Sequence, residues 1–167
     1  MSFLRSGIAV ALRCLGDDFS DNGSHRFLTG SPGTVSLTGD RISLGTQWLV
    51  HEISPNVFAF ECEGVGGFLD GATIACEVKL SPNTNAPFIG TLWNVMDLPD
   101  LGTHIKLQCR GNLGSCHDGF LDGQTANGIV GLRPVDTDFS GTHWELLVWT
   151  SNPDEGGGSE DDGRLPR

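Results

Sequence analysis

One motif is written three times in this chain, and nothing else in the sequence constrains the fold as tightly. In its last copy, Phe120-Leu121-Asp122-Gly123 leads to Val130-Gly131-Leu132 and ends in Gly141-Thr142-His143-Trp144. The middle copy reads Phe68-Leu69-Asp70-Gly71, Val78-Lys79-Leu80 and Gly90-Thr91-Leu92-Trp93. The first reads Phe27-Leu28-Thr29-Gly30, Val35-Ser36-Leu37 and Gly45-Thr46-Gln47-Trp48, so it lacks the Asp and has a shorter turn. The three tryptophans follow one another at 45 and 51 residues, a period typical of repeated supersecondary units.

An alternating segment ending in cysteine precedes each copy: Ala11-Leu12-Arg13-Cys14, Ala59-Phe60-Glu61-Cys62 and Lys106-Leu107-Gln108-Cys109. Each unit therefore reads as four short strands with period-2 alternation: the segment ending in Cys, the Phe-Leu-Asp-Gly strand, the Val-x-Leu strand, and a closing strand opened by Gly-Thr-x-Trp. Gly, Asn, Asp, Pro and Ser fill the gaps as tight-turn residues. With 24 Gly, 8 Pro and no helical periodicity, the class is all-β. Residues 1–149 are expected to form one domain with repeats at about 8–53, 54–98 and 99–149. The Gly-rich, acidic, aperiodic stretch 150–167 is expected to be a disordered tail.

The formal charge is −11, from 21 acids against 10 bases. Binding to phosphate backbones draws on positive charge, so nucleic acid is not an expected partner. No segment approaches the ~20 apolar residues of a membrane-spanning helix, so membrane insertion is not expected. The apolar run near the N-terminus covers only Gly7 to Leu12, short for a signal-peptide core. The expected location is the cytoplasm, with release by a non-classical route as the alternative.

Five cysteines are an odd number, and without a secretion signal a disulfide framework is not expected. Cys14, Cys62 and Cys109 recur at equivalent inward positions and read as core residues. Cys76 and Cys116 fall outside the repeat. Cys116-His117 is the only Cys/His neighbour pair, a weak signal for a nucleophile. No metal-ligand spacing or Ser/His/Asp arrangement appears, so neither a cofactor nor an enzymatic activity is expected.

Three four-strand units, each closed by small-Thr-x-Trp, resemble the β-trefoil, a pseudo-threefold barrel with a hairpin cap. Within that fold the chain is most similar to ricin-type lectin domains, on Leu69-Asp70 and Leu121-Asp122, the Val-x-Leu strands and the terminal x-x-Trp. The family's Gln-x-Trp appears here as Thr-x-Trp. Thr38, Ser81 and Arg133 stand where an aromatic follows the Val-x-Leu strand. The resemblance implies a non-enzymatic module that binds carbohydrate, a glycan or glycoprotein, through repeats two and three. Its ligand residues would be Asp70 and Asp122 with Gly71 and Gly123, because a carboxylate accepts strong hydrogen bonds from sugar hydroxyls. Trp149, Phe19, Phe88 and Phe139 are the aromatic platforms left once the repeat tryptophans are assigned to the core.

Two readings stay open beside this one. Asp before Gly also suits a turn in which the carboxylate caps backbone N–H groups. The alternative function is a protein-interaction or protease-inhibitor module that presents Leu80 to Gly90 or Gly111 to Asp118. The reading of the tail makes the first prediction: truncation after Ser151 leaves the melting temperature unchanged, whereas a fall of several degrees would mean that the tail packs on the domain.

Overall fold

The computed structural model describes residues 4–16, 26–83, 89–98, 103–134 and 139–149. The tail from 150 onward, Phe19 and Phe88 lie outside these residues. The first unit contains β1 (Ala9–Cys14), β2 (Phe27–Ser31), β3 (Thr34–Thr38) and β4 (Trp48–Ser54). The second contains β5 (Val57–Cys62), β6 (Phe68–Ala72), β7 (Glu77–Ser81) and β8 (Trp93–Asp97). The third contains β9 (His104–Cys109), β10 (Phe120–Gln124), β11 (Ile129–Arg133) and β12 (Trp144–Val148). The chain is all-β, as the period-2 alternation predicts, and among the described residues every strand pairing is antiparallel. Among the described residues no helix is long and apolar enough to cross a membrane.

Six strands form a closed ring. Strand β1 pairs with β4, β4 with β5, β5 with β8, β8 with β9, β9 with β12, and β12 with β1 again. Closure gives each of these strands a neighbour on both sides, leaving no ladder of unpaired N–H and C=O groups along the ring. The remaining six strands make three hairpins, β2–β3, β6–β7 and β10–β11. Each joins the ring through one equivalent pair: Arg13 with Phe27, Glu61 with Phe68, and Gln108 with Phe120. The turn inside the first hairpin is Pro32-Gly33, but the other two turns have four residues, Thr73 to Cys76 and Thr125 to Gly128.

The three motif residues that looked most diagnostic meet in one interlock, repeated at each boundary between units. Trp48 lies opposite Cys62, Trp93 opposite Cys109, and Trp144 opposite Cys14. All six side chains are fully buried. Each indole N–H donates to the carbonyl of the Leu in its own unit's Phe-Leu-x-Gly strand: Trp48 to Leu28 (2.9 Å), Trp93 to Leu69 (2.9 Å) and Trp144 to Leu121 (3.0 Å). The glycine after that strand's Asp or Thr accommodates the sulfur of the next unit. A Cβ on Gly30 would lie 2.7 Å from Cys62 Sγ, on Gly71 2.6 Å from Cys109 Sγ, and on Gly123 2.8 Å from Cys14 Sγ, all inside van der Waals contact.

The closing strands begin at the tryptophan, as the sequence suggests. Gly and Thr of each Gly-Thr-x-Trp belong to a 3-10 turn, Leu44–Thr46, Ile89–Thr91 or Ser140–Thr142, and the strand starts at the Trp. The buried Thr hydroxyl explains the residue type in two of them. Thr46 Oγ1 donates to Ser43 O (2.6 Å) and Thr142 Oγ1 to Phe139 O (2.7 Å), closing the turn from within.

The expectation of unpaired cysteines holds for Cys14, Cys62 and Cys109 and is corrected for the other two. Cys76 and Cys116 form a disulfide, with Cα atoms 5.3 Å apart and a sequence separation of 40. Cys76 ends the β6–β7 turn and Cys116 sits in the insertion Gly111 to Asp118, which folds back onto that turn; Cys116 N–H donates to Thr73 O (3.1 Å). The bond arises from an insertion outside the repeat, and repeat spacing carries no trace of it.

Replacing any interlock tryptophan removes its packing and strands a buried Leu carbonyl. Trp93→Ala should therefore cost about 3–5 kcal/mol. Chemical denaturation would measure this, and a variant as stable as the parent would contradict the interlock.

Candidate functional site

Asp70 and Asp122 occupy equivalent positions on β6 and β10, with 7% and 8% of their surface exposed. Each carboxylate is held by a side chain 11 residues later. Ser81 donates its hydroxyl to Asp70 Oδ2. Arg133 donates to Asp122 Oδ2 through Nε (3.0 Å) and Nη2 (2.8 Å). The other oxygen, Oδ1, points to the place that a side chain on Gly90 or Gly141 would fill, so those glycines make room for the carboxylates. In the first unit Thr29 Oγ1 faces Gly45 in the same way.

Each carboxylate lies at the floor of a shallow cleft between one unit's hairpin turn and the next unit. The first cleft, of about 220 Å3, has Asp70 and Gly71 at its base, the β6–β7 turn as one wall and Gly111 to Leu113 as the other. The second, of about 260 Å3, has Asp122 and Gly123 at its base and Gly16 of the first unit opposite the β10–β11 turn. Gly111 packs on Thr73 and Gly16 on Thr125, so the two clefts are built alike. The third boundary differs because the Pro32-Gly33 turn supplies no such threonine. There Gly64 packs directly on Leu44 instead.

The predicted site residues thus come together in two separate places, Asp70 with Gly71 and Asp122 with Gly123. Their linings are chemically distinct. In the first cleft Ile74 and Leu113 are 72% and 62% exposed at the rim, beside Lys79. In the second the Arg133 guanidinium stacks over the half-exposed Phe139 ring, 4.1 Å from its centre, and forms a flat cationic platform beside Asp122. Of the other aromatic candidates, Trp149 donates its indole N–H to Thr46 Oγ1 (3.4 Å), and Phe19 and Phe88 lie outside the described residues.

Sequence reasoning passed over Ser81 and Arg133 as partners of the two aspartates. Their common offset of 11 residues was the available signal, since across an antiparallel hairpin a fixed offset sets which side chains share a face. No protein-family model matches the chain, and no curated protein matches it.

The free thiols have a different chemistry from the clefts. Burial pushes the pKa of Cys14 and Cys109 up to about 11, and burial also raises that of Cys62. A thiol so held is protonated at neutral pH and a poor nucleophile. Cys116, next to His117, is engaged in the disulfide and offers no thiol there. Among the described residues no cluster of three or more His, Cys, Asp or Glu is arranged to hold a metal.

Unfolding returns these thiols to the ordinary range near 8.5, so above that pH the unfolded chain loses protons that the folded chain keeps. The stability they support is fully present below about pH 8.5 and is lost as pH rises towards about 11. The chain has no Tyr to titrate in that window. Melting temperature measured from pH 7 to 11 should decline above pH 9, and a Cys14→Ala, Cys109→Ala variant should decline less steeply. Equal slopes would refute the assignment.

Proposed function

We propose that the chain is a non-enzymatic β-trefoil module that binds carbohydrate through the clefts of its second and third units. The observation that carries this reading is the paired construction: a carboxylate at the base of each of two equivalent clefts, oriented by a partner across its own hairpin. Such a carboxylate is set in advance, so a ligand hydroxyl that donates to it incurs little cost of ordering. The Arg133–Phe139 stack beside Asp122 adds a flat face of the kind on which a pyranose ring packs. Thr29 and the short Pro32-Gly33 turn leave the first unit without either element.

The exposed Ile74 and Leu113 at the rim of the first cleft favour a second reading, a protein-interaction module, since clustered surface apolar side chains are typical of protein contacts. The cytoplasmic location expected from the N-terminal stretch meets a counter-argument in the Cys76–Cys116 bond. Structural disulfides persist in oxidising compartments, whereas those in the cytoplasm are usually transient or redox-sensing.

Asp70→Asn and Asp122→Asn test the carbohydrate reading, because each keeps side-chain size and turn-forming ability. On a glycan array each single variant should lose its site's affinity ten-fold or more, in line with roughly 1.5–3 kcal/mol for a hydrogen bond to a charged acceptor. A folded double variant that binds as the parent does would overturn the assignment. A silent parent would favour the protein-interaction reading, to be pursued through Ile74 and Leu113.

A further inference from the structure

Taking the two clefts as ligand sites, we propose that the Cys76–Cys116 disulfide is a redox latch. It holds together the walls of the first cleft, and through them the affinity of that cleft alone. The bond joins the two segments that face each other across the opening. Cys76 ends the turn whose preceding residues, Thr73 to Ala75, form one wall. Cys116 belongs to the insertion whose first residues, Gly111 to Leu113, form the other.

The backbone at Cys76 gives an independent reason to assign the position a task. Its φ is 58°, in the left-handed region, and the equivalent turn positions in the other units are Gly128 and Gly33, both with φ 74°. Glycine takes that conformation without strain, and a side chain there does not. A turn that needed only its shape would carry glycine here too. What the position gains from cysteine is the link to Cys116.

The surroundings suit a bond that opens and closes. Cys76 is partly buried and Cys116 fully buried, so a reductant meets the bond from the Cys76 side, whereas Cys14, Cys62 and Cys109 are enclosed in the interlock and protonated, so they do not compete by exchange. Among the described residues, only one backbone–backbone hydrogen bond of the insertion crosses to the opposite wall, Cys116 N to Thr73 O (3.1 Å). Within the third unit the insertion is held by Asp118 N to Gly111 O (3.3 Å), Gly119 N to Cys116 O (3.1 Å), Gly111 N to Cys109 Sγ (3.3 Å), Gln108 Nε2 to Asp118 O (3.1 Å) and His117 Nδ1 with Gly114 O (2.9 Å). The second cleft has no counterpart, since Gly128 stands where Cys76 does.

The chemistry is thiol–disulfide exchange with a dithiol. A reductant thiolate attacks Cys76 Sγ, the S–S bond breaks, and Cys116 leaves as a thiolate that takes a proton. The second thiol of the reductant then closes its own disulfide and releases Cys76 as a thiol. In balance, two electrons and two protons pass from the dithiol to the protein.

The test uses the full chain, oxidised and after reduction with dithiothreitol, with the bond state confirmed by mass spectrometry. Hydrogen exchange should rise on reduction in 111–119 and 72–77, remain unchanged in the 124–129 turn, and return on reoxidation. This readout needs no ligand. Unchanged exchange in the reduced protein overturns the latch whatever the chain binds. A Cys76→Gly, Cys116→Ser variant, with glycine suited to the left-handed turn, should exchange like the reduced form, and parental exchange in it would likewise overturn the proposal.

Galactose and N-acetylglucosamine arrays, probed with Asp122→Asn to isolate the first cleft and Asp70→Asn to isolate the second, give the affinity arm. Reduction should weaken binding at least ten-fold in Asp122→Asn and leave Asp70→Asn unaffected. Equal binding by oxidised and reduced Asp122→Asn would refute control of affinity. Absence of binding by the oxidised parent would refute the carbohydrate reading, with the exchange data still deciding the latch.

Discussion

The architecture depends on sulfur packed against glycine at the three unit boundaries. A cysteine of one unit occupies space that a side chain on the previous unit's glycine would need, and the thiol points at backbone carbonyls there. Cys14 Sγ lies 3.5 Å from Gly123 O and Gly141 O, Cys109 Sγ 3.5 Å from Gly90 O, and Cys62 Sγ 3.5 Å from Gly45 O. Serine would make shorter bonds but fill less volume, and valine would fill the volume but leave the carbonyls facing carbon. The opposing tryptophan seals the same junction and ties its indole N–H to the hairpin. Because this packing lies where one unit meets the next, it fixes how the units turn relative to each other and hence where the clefts open.

The same interlock explains the glycines beside the candidate aspartates. Gly90 and Gly141 have no side chain because Asp70 and Asp122 occupy that space, while Gly71 and Gly123 have none because sulfur does. Each Asp-Gly pair therefore faces two ways: the glycine packs inward on the junction, and the carboxylate looks into the cleft.

This division also explains what could be read in the sequence. The twelve strands, the buried tryptophans and the three core cysteines were legible, since their identities are forced by close packing and recur at every unit. Asp70 and Asp122 were legible as a pair for the same reason. Arg133 was visible only as a departure at its position, because its pairing with Asp122 and stacking on Phe139 happen in one unit. The Cys76–Cys116 bond left no pattern at all. It joins a turn to an insertion, and the distance between them is set by how the insertion folds.

The ring is closed by its first and last strands, β1 against β12, and Trp149 N–H reaches Ala9 O at 3.0 Å. The order of the units around the ring is therefore cyclic, although the chain that encodes it is linear. A circular permutant that joined the region after β12 to the region before β1, and opened the chain at the Ser54-Pro55-Asn56 turn, would keep every strand neighbour. The opposite holds during synthesis. Until β12 emerges, β1 has only β4 beside it in the ring and presents an open edge. The third unit thus completes the protection of the first, which links the solubility of the early chain to the arrival of its last strand.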